Sequence, residues 1–231
     1  MVGSTLAAGL REKYRVRGFD CRPMPGLTDT VIGDVGDLEA LVKAAEGADA
    51  VVHLATRNYS PPESPGAWEV VLQNNIIGTY NAFEAARLQG VKRVVSAGTS
   101  QVVDGYPRDQ RITWDMLPRP RTHYSVSKVF GEMLGYMYSH EFGMEVVCIR
   151  IGSFSPRWRI GSREELLGKY LSPRDAVNLF ERALTRPGIK FEIVFGTSNN
   201  SRCRFDLDHA REALGYEPLD AEEDAVVPEV G

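Results

Sequence analysis

Three short, nearly uninterrupted apolar runs constrain this chain more than any other feature: Val51-Val52-His53-Leu54, Arg93-Val94-Val95-Ser96 and Val146-Val147-Cys148-Ile149-Arg150-Ile151. Each follows a segment with helical periodicity: Asp37 to Gly47, a long segment ending near Gly90, and Tyr124 to Glu141. A strand with one wet face alternates apolar and polar residues, whereas a strand covered on both faces does not. Continuous apolar strands separated by helices therefore predict an α/β fold with a doubly wound parallel sheet. A late strand, Phe191 to Phe195, and a last helix, Asp206 to Leu214, read as lying outside this core repeat. Arg57 to Pro65 reads as a loop, because Pro61, Pro62 and Pro65 exclude regular helix. The acidic stretch Ala221 to Gly231 contains Pro228 and is expected to fray.

A length of 231 residues suits one large domain, or one domain plus a small appendage. Residues 1–231 are read as that domain, with 152–220 contributing a substrate-binding region and 221–231 a tail. The net charge of −4, without a long basic run, argues against nucleic acid or an anionic membrane as partner. No apolar stretch approaches the roughly 20 residues needed to span a bilayer. Cys21, Cys148 and Cys203 are scattered and lack metal spacing, which fits a reducing cytoplasm. His53, His123, His140 and His209 show no ligand spacing either, so no metal is expected. His53 lies in a buried strand and reads as a core histidine with its hydrogen bonds satisfied.

The chain opens directly on a helix, Gly3 to Leu10, followed by a strand, Arg15 to Phe19, and then Asp20. In dinucleotide-binding folds a glycine-rich turn joins the first strand to the first helix, and an acid about 20 residues later holds the adenosine ribose. Gly3 and Asp20 have close to that spacing if Gly3 is the last glycine of the turn. The expectation is then a sheet without its first strand and without most of the glycine turn. Two strand edges would be left open, and pyrophosphate binding at the helix N-terminus would be weakened.

Tyr124-Ser125-Val126-Ser127-Lys128 carries the chemistry. Four residues apart on a helix, Tyr124 and Lys128 share a face. A free phenol ionises near pH ~10 and is a poor base at neutral pH, but an adjacent cation favours the phenolate. Tyr124 could then take a proton from a substrate hydroxyl as hydride leaves the same carbon. The motif lies between a strand ending in Gly98-Thr99-Ser100 and one ending in Arg150-Ile151-Gly152-Ser153.

With Gly33-Asp34-Val35 before a helix, Val51 to Ala55 (VVHLA), Asn75-Ile76-Ile77-Gly78-Thr79 and Tyr124 to Lys128, the chain resembles the extended short-chain dehydrogenase/reductase family, also called NAD-dependent epimerase/dehydratases. Pro118 to Glu132 and Arg150 to Pro156 are most similar to uronate dehydrogenases. Phe191 to Pro218 also resembles archaeal NAD-dependent glucose-6-phosphate dehydrogenases. The resemblance implies a Rossmann-like fold and NAD as cofactor. It assigns Tyr124 and Lys128 as catalytic residues, with Thr99 or the adjacent Ser100 as the hydroxyl that orients substrate. For the cofactor it implies Gly3, Asp20, Asp34, Val35, Leu54, Ala55, Thr56, Asn75 and Ile151, together with Tyr124 and Lys128. An acid at Asp20 favours NAD over NADP by repelling a 2′-phosphate.

For the substrate, the resemblance places an arginine after the Arg150-Ile151-Gly152-Ser153 motif to hold a carboxylate. Arg163 is the best match among Arg157, Arg159 and Arg163, and a planar guanidinium suits such a partner. Asn58, Ser100, Gln101 and Ser153 are sugar-hydroxyl candidates by position. Thr99-Ser100-Gln101 departs from the Ser-Asn-His of uronate dehydrogenases, which puts the identity of the sugar in doubt. The leading expectation is oxidation of a hexuronate at the anomeric carbon to a lactone. A hexose phosphate dehydrogenase, a nucleotide-sugar epimerase or dehydratase, and a non-catalytic dinucleotide-binding protein are the alternatives. A homodimer is expected from the resemblance alone.

Overall fold

A computed structural model describes residues 1–57, 66–155 and 168–222. Asn58 and Arg163, with Arg157 and Arg159, lie outside these residues, as does the tail from 223 onward. Strands β3 (Ala50–His53), β4 (Arg93–Ala97), β5 (Glu145–Ile151) and β8 (Phe191–Gly196) form one parallel sheet in that order. Two shorter strands, β1 (Arg17–Asp20) and β2 (Asp29–Ile32), pair in parallel as a separate sheet. A third pair joins β6 (Ser153–Phe154) to β7 (Tyr170–Leu171).

The apolar runs form the middle of the main sheet because their two faces meet two helical layers. Val94, Val146 and Cys148 pack with Phe83 and Ala86 of α4 (Gly78–Leu88) and Tyr138 of α5 (His123–Phe142). Their neighbours Val95, Val147 and Ile149 point the other way. There they meet Leu6 and Leu10 of α1 (Val2–Leu10) and Leu179 and Phe180 of α6 (Pro173–Thr185). This is the period-two division of a strand buried on both sides. No helix among the described residues is long and apolar enough to cross a membrane.

The expectation that residues 191–195 and 206–214 lie outside the core repeat is corrected. β8 pairs with β5 from Val146↔Phe191 to Ile151↔Gly196. Ala210 and Leu214 of α7 (Asp208–Leu214) are buried in the same core as α1 and α6. The misreading has a physical source. β8 is an edge strand, so Glu192 can be accommodated, where it bonds the His209 ring at 2.9 Å. The first strand also sits later than expected, at Arg17–Asp20, with Asp20 inside it. Two elements carried weaker signals: β2, and α6 with its Ser172 cap and Pro173 in the first turn.

Helix α5 is firmly bounded. The Thr122 hydroxyl accepts from Ser125 N–H and the Ser125 hydroxyl accepts from Thr122 N–H, both at 3.1 Å. At its other end Gly143 adopts φ +67°, and the N–H groups of Gly143 and Met144 close back on Ser139 and Tyr138. The remaining helix α2 (Leu38–Ala45) is capped by the Asp37 side chain. Ahead of α4, a short helix α3 (Ala67–Val71) runs into a π-turn, residues 72–77, before the α-helix resumes at Gly78. Such turns inside helices are frequent at functional sites.

Candidate active site

The C-terminal ends of the parallel strands gather the candidate residues, as expected for an open α/β sheet. Tyr124 sits in the first turn of α5 and Lys128 one turn later. The Lys128 ammonium lies 5.7 Å from the centre of the Tyr124 ring. It is buried and donates to the carbonyl of Ala97, the last residue of β4, at 3.0 Å. Burial lowers its pKa to about 8, which still leaves it mainly cationic at neutral pH.

Thr99 leaves β4 in extended conformation and caps a 3₁₀ turn, Ser100–Val103, by accepting from Gln101 N–H at 3.3 Å. Its hydroxyl and that of Thr56 stand near enough to the Tyr124 phenol to favour its ionised form. Burial raises the Tyr124 pKa, and the two hydroxyls act in the opposite direction. Of the two adjacent hydroxyls after β4, Thr99 is thus the one that acts on the tyrosine's ionisation. Ser100 is buried within the 3₁₀ turn.

Behind this group, His53 at the end of β3 is buried, with Nε2 3.0 Å from the Thr79 hydroxyl. Burial, followed by the Lys128 charge, lowers its pKa to about 3. His53 is therefore the satisfied, neutral core histidine that its strand context suggests.

Asn75, in the π-turn, is buried and ties the loop after β3 to α5. Its side-chain oxygen accepts from Arg57 N–H at 2.8 Å and from the Thr56 hydroxyl at 3.2 Å. Its amide donates to the Arg57 carbonyl at 2.9 Å and to Ser127 Oγ at 3.1 Å. Ser127 in turn donates to the Tyr124 carbonyl at 2.7 Å. The amide is fully engaged by protein groups, so Asn75 acts by fixing the loop.

The other candidates lie at the start of α1 and at or just after the ends of the strands. Gly3 lies in the first turn of α1 beside Leu54, and no side chain caps that helix. Asp20 ends β1 with an exposed carboxylate that accepts from Arg22 N–H at 3.0 Å. Asp34 turns the chain after β2 by accepting from Gly36 N–H at 2.7 Å. Val35 packs on Gly78, where a Cβ would stand 2.6 Å from a Val35 methyl, so only glycine admits this approach. The Asn81 amide holds the carbonyls of Val35 and Gly36 at 2.9 and 3.0 Å. Leu54 and Ala55 follow β3, Ile151 ends β5, and Ser153 begins β6 with its N–H bonded to the Lys169 carbonyl at 2.6 Å. Gln101 is half-buried in the 3₁₀ turn.

This arrangement fits a dinucleotide: an uncapped helix start for phosphates, an exposed acid at the end of β1, and a buried ammonium whose bond among the described residues is to Ala97. A cavity of about 700 Å³ lined by Arg11, Tyr14, Gly26 and Asp29 is elsewhere, at the opposite end of β1, and includes none of these groups.

A buried ion pair was not foreseen from sequence. The Arg150 guanidinium (2% exposed) grips the Glu132 carboxylate (1% exposed) through two bonds of 2.8 and 2.9 Å. Its third contact is the Trp114 carbonyl at 2.9 Å. Glu132 lies two turns beyond Tyr124 on α5, and a charge on that face at that spacing was the available signal. The pair fastens α5 to β5.

A family model described as the NAD dependent epimerase/dehydratase family matches residues 1–164. The chain belongs to that family. Uronate dehydrogenase from Pseudomonas putida is 36% identical over 202 residues, which is 87% of this chain and 72% of that protein. The NAD-dependent glucose-6-phosphate dehydrogenase of Haloferax volcanii is 34% identical over 240 residues, covering 95% of this chain and 89% of its own. Among solved structures, a uronate dehydrogenase variant from Agrobacterium tumefaciens complexed with NAD superposes with a TM-score of 0.86 at 32% identity. That match covers 96% of this chain and 82% of the other. Membership accounts for the parallel sheet and for the cofactor class, NAD.

Proposed function

We propose that this protein oxidises a hexuronate at its anomeric carbon and releases a lactone, with NAD as the oxidant. The observation that carries the reading is the meeting of Thr99 and Lys128 at Tyr124, in a chain 36% identical to a uronate dehydrogenase. NAD, when bound, would supply the hydride acceptor for oxidation at the anomeric carbon. Tyr124 takes the hydroxyl proton from the same substrate. Lys128 places a positive charge beside the ring and stabilises the phenolate form. Thr99 orients the substrate hydroxyl. Gly3, Asp20, Asp34, Val35, Leu54, Ala55 and Ile151 line the cofactor groove, with Asn75 holding its loop. Arg163 pairs with the substrate carboxylate, and Asn58, Gln101 and Ser153 meet sugar hydroxyls.

NADH formation with glucuronate, galacturonate and glucose 6-phosphate tests the reading. Turnover of either uronate, lost by about 10³-fold in Tyr124→Phe, supports it. Turnover of glucose 6-phosphate alone assigns a hexose phosphate instead. NAD binding without turnover of any sugar removes the dehydrogenase reading.

We also assign a homodimer formed through α4 and α5. Tyr80 and Leu88 on α4, and Val126, Met133, Tyr136 and Met137 on α5, are large apolar residues left exposed. Adjacent exposed residues of this kind mark association surfaces. A second copy offers the matching face under two-fold symmetry. Light scattering after gel filtration should give twice the chain mass, and Met133→Glu with Tyr136→Glu should return it to one. The cytoplasm remains the assigned compartment, in keeping with free thiols at Cys21, Cys148 and Cys203.

A further inference from the structure

Helix α4 meets the loop between β2 and α2, residues 33–37, at two points one turn apart. Gly78 admits the Val35 side chain, and the Asn81 amide donates to the Val35 and Gly36 carbonyls at 2.9 and 3.0 Å. We propose that Asn81 is a positioning residue for cofactor recognition, whose amide sets this loop so that the Asp34 carboxylate and the Val35 N–H meet the adenine of NAD together. The inference rests on the reading of the cofactor site in one respect, namely that Asp34 and Val35 are the adenine contacts.

The hydrogen bonds of the loop show why a donor from outside is needed. Gly33 N–H closes the β1–β2 pairing on the Asp20 carbonyl at 3.1 Å. Asp34 makes the turn: its side chain accepts from Gly36 N–H at 2.7 Å and its carbonyl from Asp37 N–H at 2.9 Å. Asp37 then caps α2 by accepting from Ala40 N–H at 3.0 Å. The carbonyls of Val35 and Gly36 find no donor within the loop, and an asparagine amide carries two N–H groups, one for each. Asn81 is 5% exposed, so loss of the loop would strand both donors in the interior.

Successive carbonyls point opposite ways in an extended strand, so one nitrogen reaches two of them only where the chain bends. The Asn81 amide therefore holds the bend itself. Val35 is fixed at its carbonyl and at its side chain, where a Cβ on Gly78 would stand 2.6 Å from a methyl. The direction of its N–H is then set, and among the described residues that N–H donates to no protein group. Asp34 beside it is exposed, with one carboxylate oxygen engaged by Gly36 N–H. An N–H and a carboxylate held next to each other complement the edge of adenine, which carries an acceptor, N1, beside a donor, the 6-amino group. Asn81 acts only through the loop.

The experiment measures, by isothermal titration calorimetry, the binding of NAD and of nicotinamide hypoxanthine dinucleotide to the full chain. The hypoxanthine base has an oxygen in place of the 6-amino group and a proton on N1, so its edge carries the reverse pattern. The wild type should bind NAD about tenfold more tightly than the analogue. Asn81→Leu, similar in size and without donors, should bring that ratio close to one, chiefly by weakening NAD. An unchanged ratio in Asn81→Leu overturns the proposal. So does an equal loss of affinity for both dinucleotides, which marks a role in folding alone. Should Asn81→Leu fail to fold, Asn81→Ser carries the same test: it keeps one donor on a shorter side chain, and its ratio should fall to about threefold. A wild type that binds both dinucleotides alike, or neither, removes the adenine reading and the proposal with it. A wild type that discriminates beside variants that discriminate equally removes the role of Asn81 and leaves the adenine reading intact. No sugar enters the measurement, so the dehydrogenase proposal is decided separately.

Discussion

The two parallel sheets of this molecule are built from similar elements and held in opposite ways. In the larger sheet every residue of β4 is buried, and β5 is buried from Val146 to Ile151. Two helical layers cover it, and its one fully buried ion pair, among the described residues, is Arg150–Glu132. In the smaller sheet only Gly18 of β1 is buried, and β2 alternates between half-buried and exposed residues. Its ion pairs, from Arg15 and Arg17 to Asp29, face solvent. β3, at the edge of the larger sheet, is intermediate: Ala50 to Val52 are half-buried where β4 is fully buried. The proposed proton chemistry sits on the buried sheet, and Asp20, proposed for the adenosine end, sits on the exposed one. A reacting tyrosine must hold its geometry within tenths of an ångström, whereas a groove tested only by binding tolerates more motion.

Breaking the buried pair gives the largest expected effect. Glu132→Ala leaves the Arg150 guanidinium in the core without its counter-charge and should cost about 3–5 kcal/mol in urea unfolding. Replacing both partners together, Glu132→Leu with Arg150→Met, should recover much of that loss, because two apolar side chains leave no stranded charge. If the single substitution is harmless, the larger sheet does not depend on this fastening, and the contrast with β1–β2 loses its main support.

The next effect is a pH dependence centred on His53. Its folded pKa of about 3 is below the ordinary 6.5, so the unfolded chain takes up a proton that the folded one refuses. Stability is unaffected above 6.5 and falls as pH drops through the window from 6.5 to about 3, by up to about 1.4 kcal/mol per pH unit. Below that window both states are protonated and the loss stops growing. Replacing His53 by Gln, which has no charge to gain, should flatten this limb of the unfolding curve. An unchanged slope would assign the acid loss to other groups.

How much of this was legible in the sequence follows the same division. The middle strands and the Tyr124–Lys128 pair could be read directly, because burial on both faces and a four-residue helical spacing are local patterns. β2 was overlooked because its alternation is weak, and β8 was misplaced because an edge strand can carry Glu192. The role of Asn75 was less accessible. Asn75 is 18 residues from Arg57 and 52 from Ser127, and only the folded chain reveals that one amide bonds both. The Glu132–Arg150 pair was half visible: each residue lies in a segment that marks the family resemblance, but their pairing depends on how α5 lies across β5.

The smallest expected effect probes the exposed sheet. Asp29 accepts from Arg17 at 3.1 Å and from Arg15 at 3.2 Å, and the Arg17 bond first of all holds its carboxyl below the usual carboxylate range. A depressed folded pKa contributes stability that is present above the unfolded value of 3.8 and is lost as pH falls through the folded one. At neutral pH the contribution is therefore complete, yet solvent and salt screen it. Asp29→Asn should leave global unfolding almost unchanged while loosening β1 against β2. Amide hydrogen exchange can separate the two. Protection should fall at Gly18 to Asp20 and at Thr30 to Ile32, and stay constant in β4 and β5. Added salt should produce the same local change in the wild type. If protection in β4 and β5 falls in step with β1, the two sheets open as one cooperative unit. The exposed sheet would then be as rigid as the larger one despite its solvent-facing ion pairs, and the difference in burial would not translate into a difference in motion.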